Sequence, residues 1–198
     1  MTSSTSTVMT WVETGTGLFL VELGGADDLG GPTQLPGWSL AHLVAHVHFN
    51  AEALRRLVSW AATGVESRMY ASPGQRAAEI EAGSQLPPEE LRRLVTESAQ
   101  LLADDLAALD SSAWDAEVVT AQGRTIPARQ IPWLRAREVM VHAVDLGTGL
   151  TFADLPGDFT TELLADVVHK RAGVGEAPAL AAWLTGRAAD PPALGPWL

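Results

Sequence analysis

The chain has 198 residues, 46% hydrophobic and 19% charged, which suffices for one sizeable core and is too apolar for a disordered segment. A formal net charge of −11 excludes non-specific binding to nucleic acid or anionic membranes, and any anionic ligand needs locally placed arginines to overcome that field. Cysteine is absent, which removes disulfides, thiolate metal ligands and a cysteine nucleophile.

The first residues, Met1 to Val8, are rich in Ser and Thr and lack a basic stretch followed by an apolar one, so no signal peptide is expected. No apolar run approaches the ~20 residues of a membrane span, and the cytoplasm is the expected location. Residues 7 to 23 predict a first helix, with Val8, Trp11, Val12, Phe19 and Leu23 at helical spacing, although Gly15 and Gly17 weaken it. Gly24-Gly25 and Gly30-Gly31-Pro32 then make a loop. Ser39 is a good N-cap for a second helix running from Leu40 to Ala62, whose apolar stripe is Leu43, Val47, Leu54, Leu57 and Val58. A shorter helix follows Ser72-Pro73 and carries Arg76, Glu79 and Ile80. Residues 88 to 109 predict a third long helix, with Glu89 and Glu90 in its first turn suiting the helix dipole. Residues 116 to 127 read as a hairpin around Gln122-Gly123. A fourth long helix spans about 129 to 147, with Pro132 tolerable in its first turn. Beyond it, helices are expected near 158 to 171 and 177 to 185, then an irregular tail from Asp190 to Leu198. Four long segments with polar connections predict a mainly α protein built as a four-helix bundle with a small hairpin.

Chemistry concentrates in two of these helices. Glu138 and His142, four residues apart, project from one face of the fourth helix a turn apart, which lets both bind one ion. Asp145, three residues on, is placed to accept the second N–H of a ligand histidine. Such a pair is more often a solvated surface feature, but here Val139, Met140, Val141, Ala143, Val144 and Leu146 surround it. The second helix offers His42, His46 and His48; His46 shares the apolar side with Leu43, Asn50, Ala53 and Leu57, His48 points away, and His42 with His46 forms a rival pair. Two helices of a bundle, one giving a His and the other a Glu and a His, can build a metal site. Three N/O ligands with an open fourth position describe a catalytic zinc better than a structural one.

The stretch Leu35-Pro-Gly-Trp-Ser-Leu-Ala-His-Leu-Val-Ala-His46, with Asn50 and Leu54 beyond it, resembles the first metal motif of the mycothiol-dependent maleylpyruvate isomerases, which are DinB-like four-helix metalloproteins. Arg137-Glu138-Val-Met-Val-His142-Ala-Val-Asp145-Leu-Gly resembles the second. Trp60-Ala-Ala-Thr-Gly, Met69-Tyr-Ala-Ser-Pro-Gly-Gln-Arg76 and Thr120-Ala-Gln-Gly-Arg-Thr-Ile-Pro agree in order and spacing between them. The resemblance implies a DinB-like bundle over residues 1 to 152 and a reduced C-terminal region over 153 to 198, shorter than the α/β domain usual in the family. It implies a divalent metal, zinc by preference since no redox task is evident, on His46, Glu138 and His142, with Asn50 and Asp145 beside it. It also implies mycothiol as cosubstrate and conversion of maleylpyruvate, a cis-enoyl diacid, to fumarylpyruvate. Arg76 matches one arginine that clamps the substrate, and Arg187 resembles a second. For Arg76 the plain alternative is a surface ion pair with Glu79 or Glu81; for Arg187 it is a tail residue. Two other functions remain open at this level: a mycothiol S-transferase, told apart by a stable adduct, and a non-catalytic metal-binding bundle, told apart by no thiol dependence. The partners expected are a small diacid and mycothiol, with no nucleic acid, no membrane and the oligomeric state open. Trp38, Trp60, Trp133 and Trp183 are expected in the core or lining a pocket.

Overall fold

The computed structural model describes residues 3–26, 28–72 and 74–195. They form two compact units, Ser4–Phe152 on the one hand and 153–195 with Ser3 on the other. In the larger unit the long helices are α1 (Thr5–Gly24), α2 (Leu40–Thr63), α4 (Pro88–Ala107) and α5 (Ile131–Asp145), with a short α3 (Gln75–Ser84) laid on α2. Strands β1 (Glu117–Val119) and β2 (Thr125–Pro127) form an antiparallel hairpin before α5, with Val118 opposite Ile126. This is the mainly α, DinB-like bundle that the helical spacing and the motifs predict. No helix among the described residues is long and apolar enough to cross a membrane.

The helices pair as α1 on α5 and α2 on both α4 and α5, so α2 and α5 share a seam through the bundle. Around one end of that seam lie Phe19, Leu23, Leu43, Val47, Leu91, Val95 and Val139; around the other lie Leu54, Leu57, Leu102, Leu106 and the hairpin pair Val118 and Ile126. Local chemistry explains where the chain turns. The Leu35-Pro36-Gly37-Trp38 turn closes with the Trp38 N–H donating to the Leu35 carbonyl at 3.1 Å, and Gly37 at φ +80° supplies the left-handed position that a type II turn requires. Helix α5 starts two residues later than its apolar pattern suggests, because Ala128–Gln130 winds as a 3-10 turn after Pro127. It ends at Asp145, and Gly147 at φ +70° turns the chain away.

The two glycines that weaken the pattern of α1 play opposite parts. At Gly15 an added Cβ meets Val139 Cγ2 at 2.7 Å and Met140 Cγ at 2.9 Å, so this glycine sets how closely α1 approaches α5. At Gly17 nothing lies within 4 Å. Gly17→Ala is therefore expected to raise stability by about 0.5–1 kcal/mol through helix propensity. Gly15→Ala is expected to lower it by about 1–3 kcal/mol through overpacking, less that same propensity gain. Thermal or urea unfolding of both variants checks the pair, and equal shifts would refute this account of the α1–α5 contact.

The smaller unit contains α6 (Gly157–Gly173) and α7 (Ala177–Leu184), near their expected limits. Arg171 Nη1 pairs with Glu176 Oε2 at 3.1 Å, and Gly195 N–H donates to Glu176 Oε1 at 3.2 Å. Residues 190–195 of the expected tail have no regular helix or strand, and its last three lie outside the described residues.

Candidate metal centre

Helix α2 begins with an unusual cap that decides between its histidines. Ser39 Oγ accepts from the His42 backbone N–H, and His42 Nδ1 turns back to within 3.3 Å of the Ser39 N–H and 2.7 Å of its hydroxyl. His42 thus takes the place that Glu or Gln holds in a capping box, and its Nε2 lies 3.3 Å from Glu81. The rival His42–His46 ligand pair is not formed. His48 does point away from the seam, but it is buried, packed on the Phe49 ring and facing the backbone of Leu94. Burial pushes its imidazole below the ordinary value.

His46 faces the α2–α5 seam and is 4% exposed. Across the seam, His46 Nε2 lies 2.8 Å from Glu138 Oε2, and His142 Nε2 lies 3.4 Å from the same oxygen. The two imidazoles meet edge to face with ring centres 5.0 Å apart. One donor atom from each of His46, Glu138 and His142 falls within 4.8 Å of the others. Two neutral nitrogens and one carboxylate oxygen converging from two helices is a donor set that suits a borderline-soft divalent metal with a further coordination position left open. Behind it, His142 Nδ1 lies 2.8 Å from Asp145 Oδ2, the orienting contact typical of ligand histidines. Trp38, delivered by the type II turn, places its ring 5.4 Å from that of His46 and walls one side.

Without metal the site balances its charges with protons. Burial alone raises the Glu138 carboxyl, yet hydrogen bonds from His142 and His46 outweigh it and hold the group well below the usual carboxylate range. His46 is pushed below its ordinary value by burial, against the pull of Glu138, so it is neutral and donates its Nε2–H to that carboxylate. His142 goes the other way. Burial opposes its charge, but hydrogen bonds to Asp145 and Glu138 raise it to about 9.

The other candidate residues fall at different places. Arg76, on α3, brings Nη2 to 3.4 Å from His46 Nδ1 and makes no ion pair with Glu79 or Glu81 among the described residues. Asn50 is buried one turn beyond His46, with its side-chain oxygen accepting from Arg135 Nη1 at 3.0 Å. Arg187 is exposed in the smaller unit, donating to the Thr185 carbonyl. Trp133 is buried against Trp11, and Trp38 and Trp60 pack partly buried on the cores, whereas Trp183 is 38% exposed and lies outside both core clusters. Two residues near the site escape a reading of spacing. Tyr70, partly buried, feels the charges of Arg76 and Glu138, and burial raises its phenol. Arg135 is 1% exposed; its place three residues before Glu138, on the same face of the helix, was its signal.

A family model for the mycothiol maleylpyruvate isomerase N-terminal domain matches residues 15–147. The chain belongs to this family. All three converging donors and Arg76 lie inside the matched stretch. Among solved structures, that of the mycothiol-dependent maleylpyruvate isomerase is 41% identical with a TM-score of 0.82, over 84% of this chain and 70% of that one. A histidine-to-alanine mutant of a mycothiol-dependent maleylpyruvate isomerase is 40% identical with a TM-score of 0.85, over 87% of this chain and 73% of that one. No curated protein sequence matches. The solved relatives of this mycothiol maleylpyruvate isomerase family member are thus named isomerases, and the resemblance read from the motifs is to the same family.

Proposed function

We propose that the protein is a metal- and mycothiol-dependent cis–trans isomerase acting on maleylpyruvate or a close cis-enoyl diacid. The observation that carries this reading is the buried meeting of His46, Glu138 and His142, inside the family match, in a chain that has no cysteine of its own. Isomerisation of an activated alkene proceeds by addition of a thiolate, rotation about the resulting single bond, and elimination that returns the thiol. The thiol has to come from outside. When bound by these three residues, zinc supplies the positive charge that holds an external thiol as thiolate near neutral pH.

The chain's own residues do the rest. Asp145 holds His142 with Nδ1–H directed at its carboxylate and Nε2 toward the site, and Glu138 is ionised and committed between the two imidazoles. Once His46 presents Nε2 as a lone pair, its proton resides on Nδ1. That nitrogen then no longer accepts from Arg76, and the guanidinium is released for a substrate carboxylate or for the enolate charge that builds during addition. Arg187 is the proposed second partner of the diacid.

The test is maleylpyruvate turnover by purified, metal-analysed protein with and without mycothiol. Thiol-dependent formation of fumarylpyruvate, with thiol unconsumed, is expected; a stable thiol adduct would assign a transferase instead. Arg76→Ala is expected to raise KM about ten- to a hundredfold, the worth of one charge-assisted contact, with a smaller effect on kcat. An unchanged KM would return Arg76 to the helix surface.

A further inference from the structure

We infer that Arg135 is a positioning residue that clamps α5 to α2 and thereby sets the separation of His46 from Glu138 and His142. The inference rests on the metal-site reading above and adds a part to it.

Arg135 is among the largest fully buried side chains of the protein, yet no carboxylate is hydrogen-bonded to it among the described residues. A single nitrogen, Nη1, donates to both the Val47 carbonyl at 2.8 Å and the Asn50 side-chain oxygen at 3.0 Å. Burying a guanidinium this way is costly, and a methionine of similar volume would pack the same space without the desolvation penalty. The position of the two acceptors shows what the charge accomplishes. Val47 follows His46 directly, and Asn50 lies one helical turn beyond it. On the opposite helix, Arg135, Glu138 and His142 stand at i, i+3 and i+7, which places them along one face of α5. The seam therefore carries two successive rungs. One is Arg135 on Asn50 and Val47; the next is Glu138 on His46.

The first rung is the only one of the two that persists whichever protons occupy the second. Both histidine contacts to Glu138 change when the imidazoles give up their Nε2 protons, whereas the Arg135 bonds do not involve those groups. A three-donor metal site loses affinity steeply when its ligands move apart, because each has to lie within about 0.2 Å of its bonding distance. Arg135 acts on this through helix spacing, without touching the metal or substrate. Asn50 acquires its role the same way, as the acceptor that fixes the arginine.

The experiment measures zinc affinity by chelator competition in the full-length protein and in Arg135→Met, Arg135→Lys and Asn50→Ala. A core variant outside both rungs and past the end of α4, Leu109→Ala, provides the control for lost stability alone. Metal-free crystal structures of the parent and Arg135→Met give the second readout. Arg135→Met is expected to weaken zinc binding about ten- to a hundredfold, the range seen when the support of a metal ligand is removed. In its metal-free structure the His46 Nε2 to Glu138 Oε2 contact, 2.8 Å in the parent, should open beyond hydrogen-bond distance. Arg135→Lys, which retains a charged donor, should recover part of the affinity, and Asn50→Ala should fall between it and Arg135→Met. Leu109→Ala should keep parental affinity within about twofold despite its lower Tm. Parental zinc affinity in Arg135→Met, or a retained 2.8 Å contact, would overturn the clamp. Should Arg135→Met fail to fold, Asn50→Ala decides by the same two readouts. Absence of zinc binding by the parent would instead refute the metal site, and the clamp would then be judged on the metal-free structures alone.

Discussion

Replacing His46 or His142 by alanine is expected to weaken zinc binding roughly a hundred- to a thousandfold and to abolish thiol-dependent isomerisation with it. The size follows from the share each ligand carries: apparent binding of roughly 10–16 kcal/mol for structural zinc, spread over four positions, makes each worth about 2.5–4 kcal/mol. Neither neighbour can substitute. His42 is tied into the α2 cap with Ser39 and Glu81, and His48 faces away from the seam toward Leu94. Asp145→Asn should show a lesser loss, about ten- to a hundredfold, because it replaces the carboxylate that orients and polarises His142 with a neutral amide while leaving all three donors. Metal content by mass spectrometry and competition titration checks the series. Full stoichiometry and undiminished affinity in both histidine variants would refute the assignment.

Zinc binding is expected to release about one proton at pH 7.5, about half of one at pH 9 and almost none by about pH 10.5, with the apparent affinity rising close to tenfold per pH unit between 7 and 8 and levelling off above 9. The proton is that of His142, whose folded-state pKa is raised to about 9 by Asp145 and Glu138 against the effect of burial. His46 is already neutral and only exchanges one ring proton for the other, and Glu138 is already ionised, so neither adds to the count. The metal-free protein should show the mirror effect. A pKa raised above its unfolded value of 6.5 contributes stability that is whole below pH 6.5 and lost as pH rises through about 9, an amount on the order of 3 kcal/mol. His46, whose pKa is lowered, works oppositely, and its contribution is lost as pH falls below 6.5. Metal-free protein should therefore unfold at progressively lower urea between pH 7 and 9.5, and zinc-loaded protein should not. Calorimetric titration in buffers of different ionisation enthalpy counts the proton directly. Zero protons at pH 7.5 would mean that His142 is neutral in the free site and that Asp145 does not hold its charge.

The two predictions together test how one cluster exchanges a proton for a metal ion. In the free protein His46 and His142 direct N–H groups at Glu138, where a cation between them would take the same carboxylate. That arrangement keeps a buried carboxylate compensated in both states, as a charge taken out of water requires.

Much of this was determined by the sequence alone. Period 3.6 apolar spacing marked α2 and α4, Ser39 marked the start of α2, and Gln122-Gly123 marked the hairpin, because each of these signals acts over a few residues of backbone. The i, i+4 relation of Glu138 and His142 is likewise local, as is the reach of Asp145 to His142. What spacing could not decide was which histidine of α2 meets them, since 42 and 46 lie on one face. The motif resemblance favoured His46, and the tertiary structure supplied the physical reason by spending His42 on the helix cap. Gly15 and Gly17 look alike in a helical pattern and differ only in what α5 places beside them. The spacing of Arg135 from Glu138 was legible but its role was not, because its partners are the Val47 carbonyl and Asn50 on another helix, 88 and 85 residues away. A buried charge is explained by what surrounds it, and that is known only after the helices have packed.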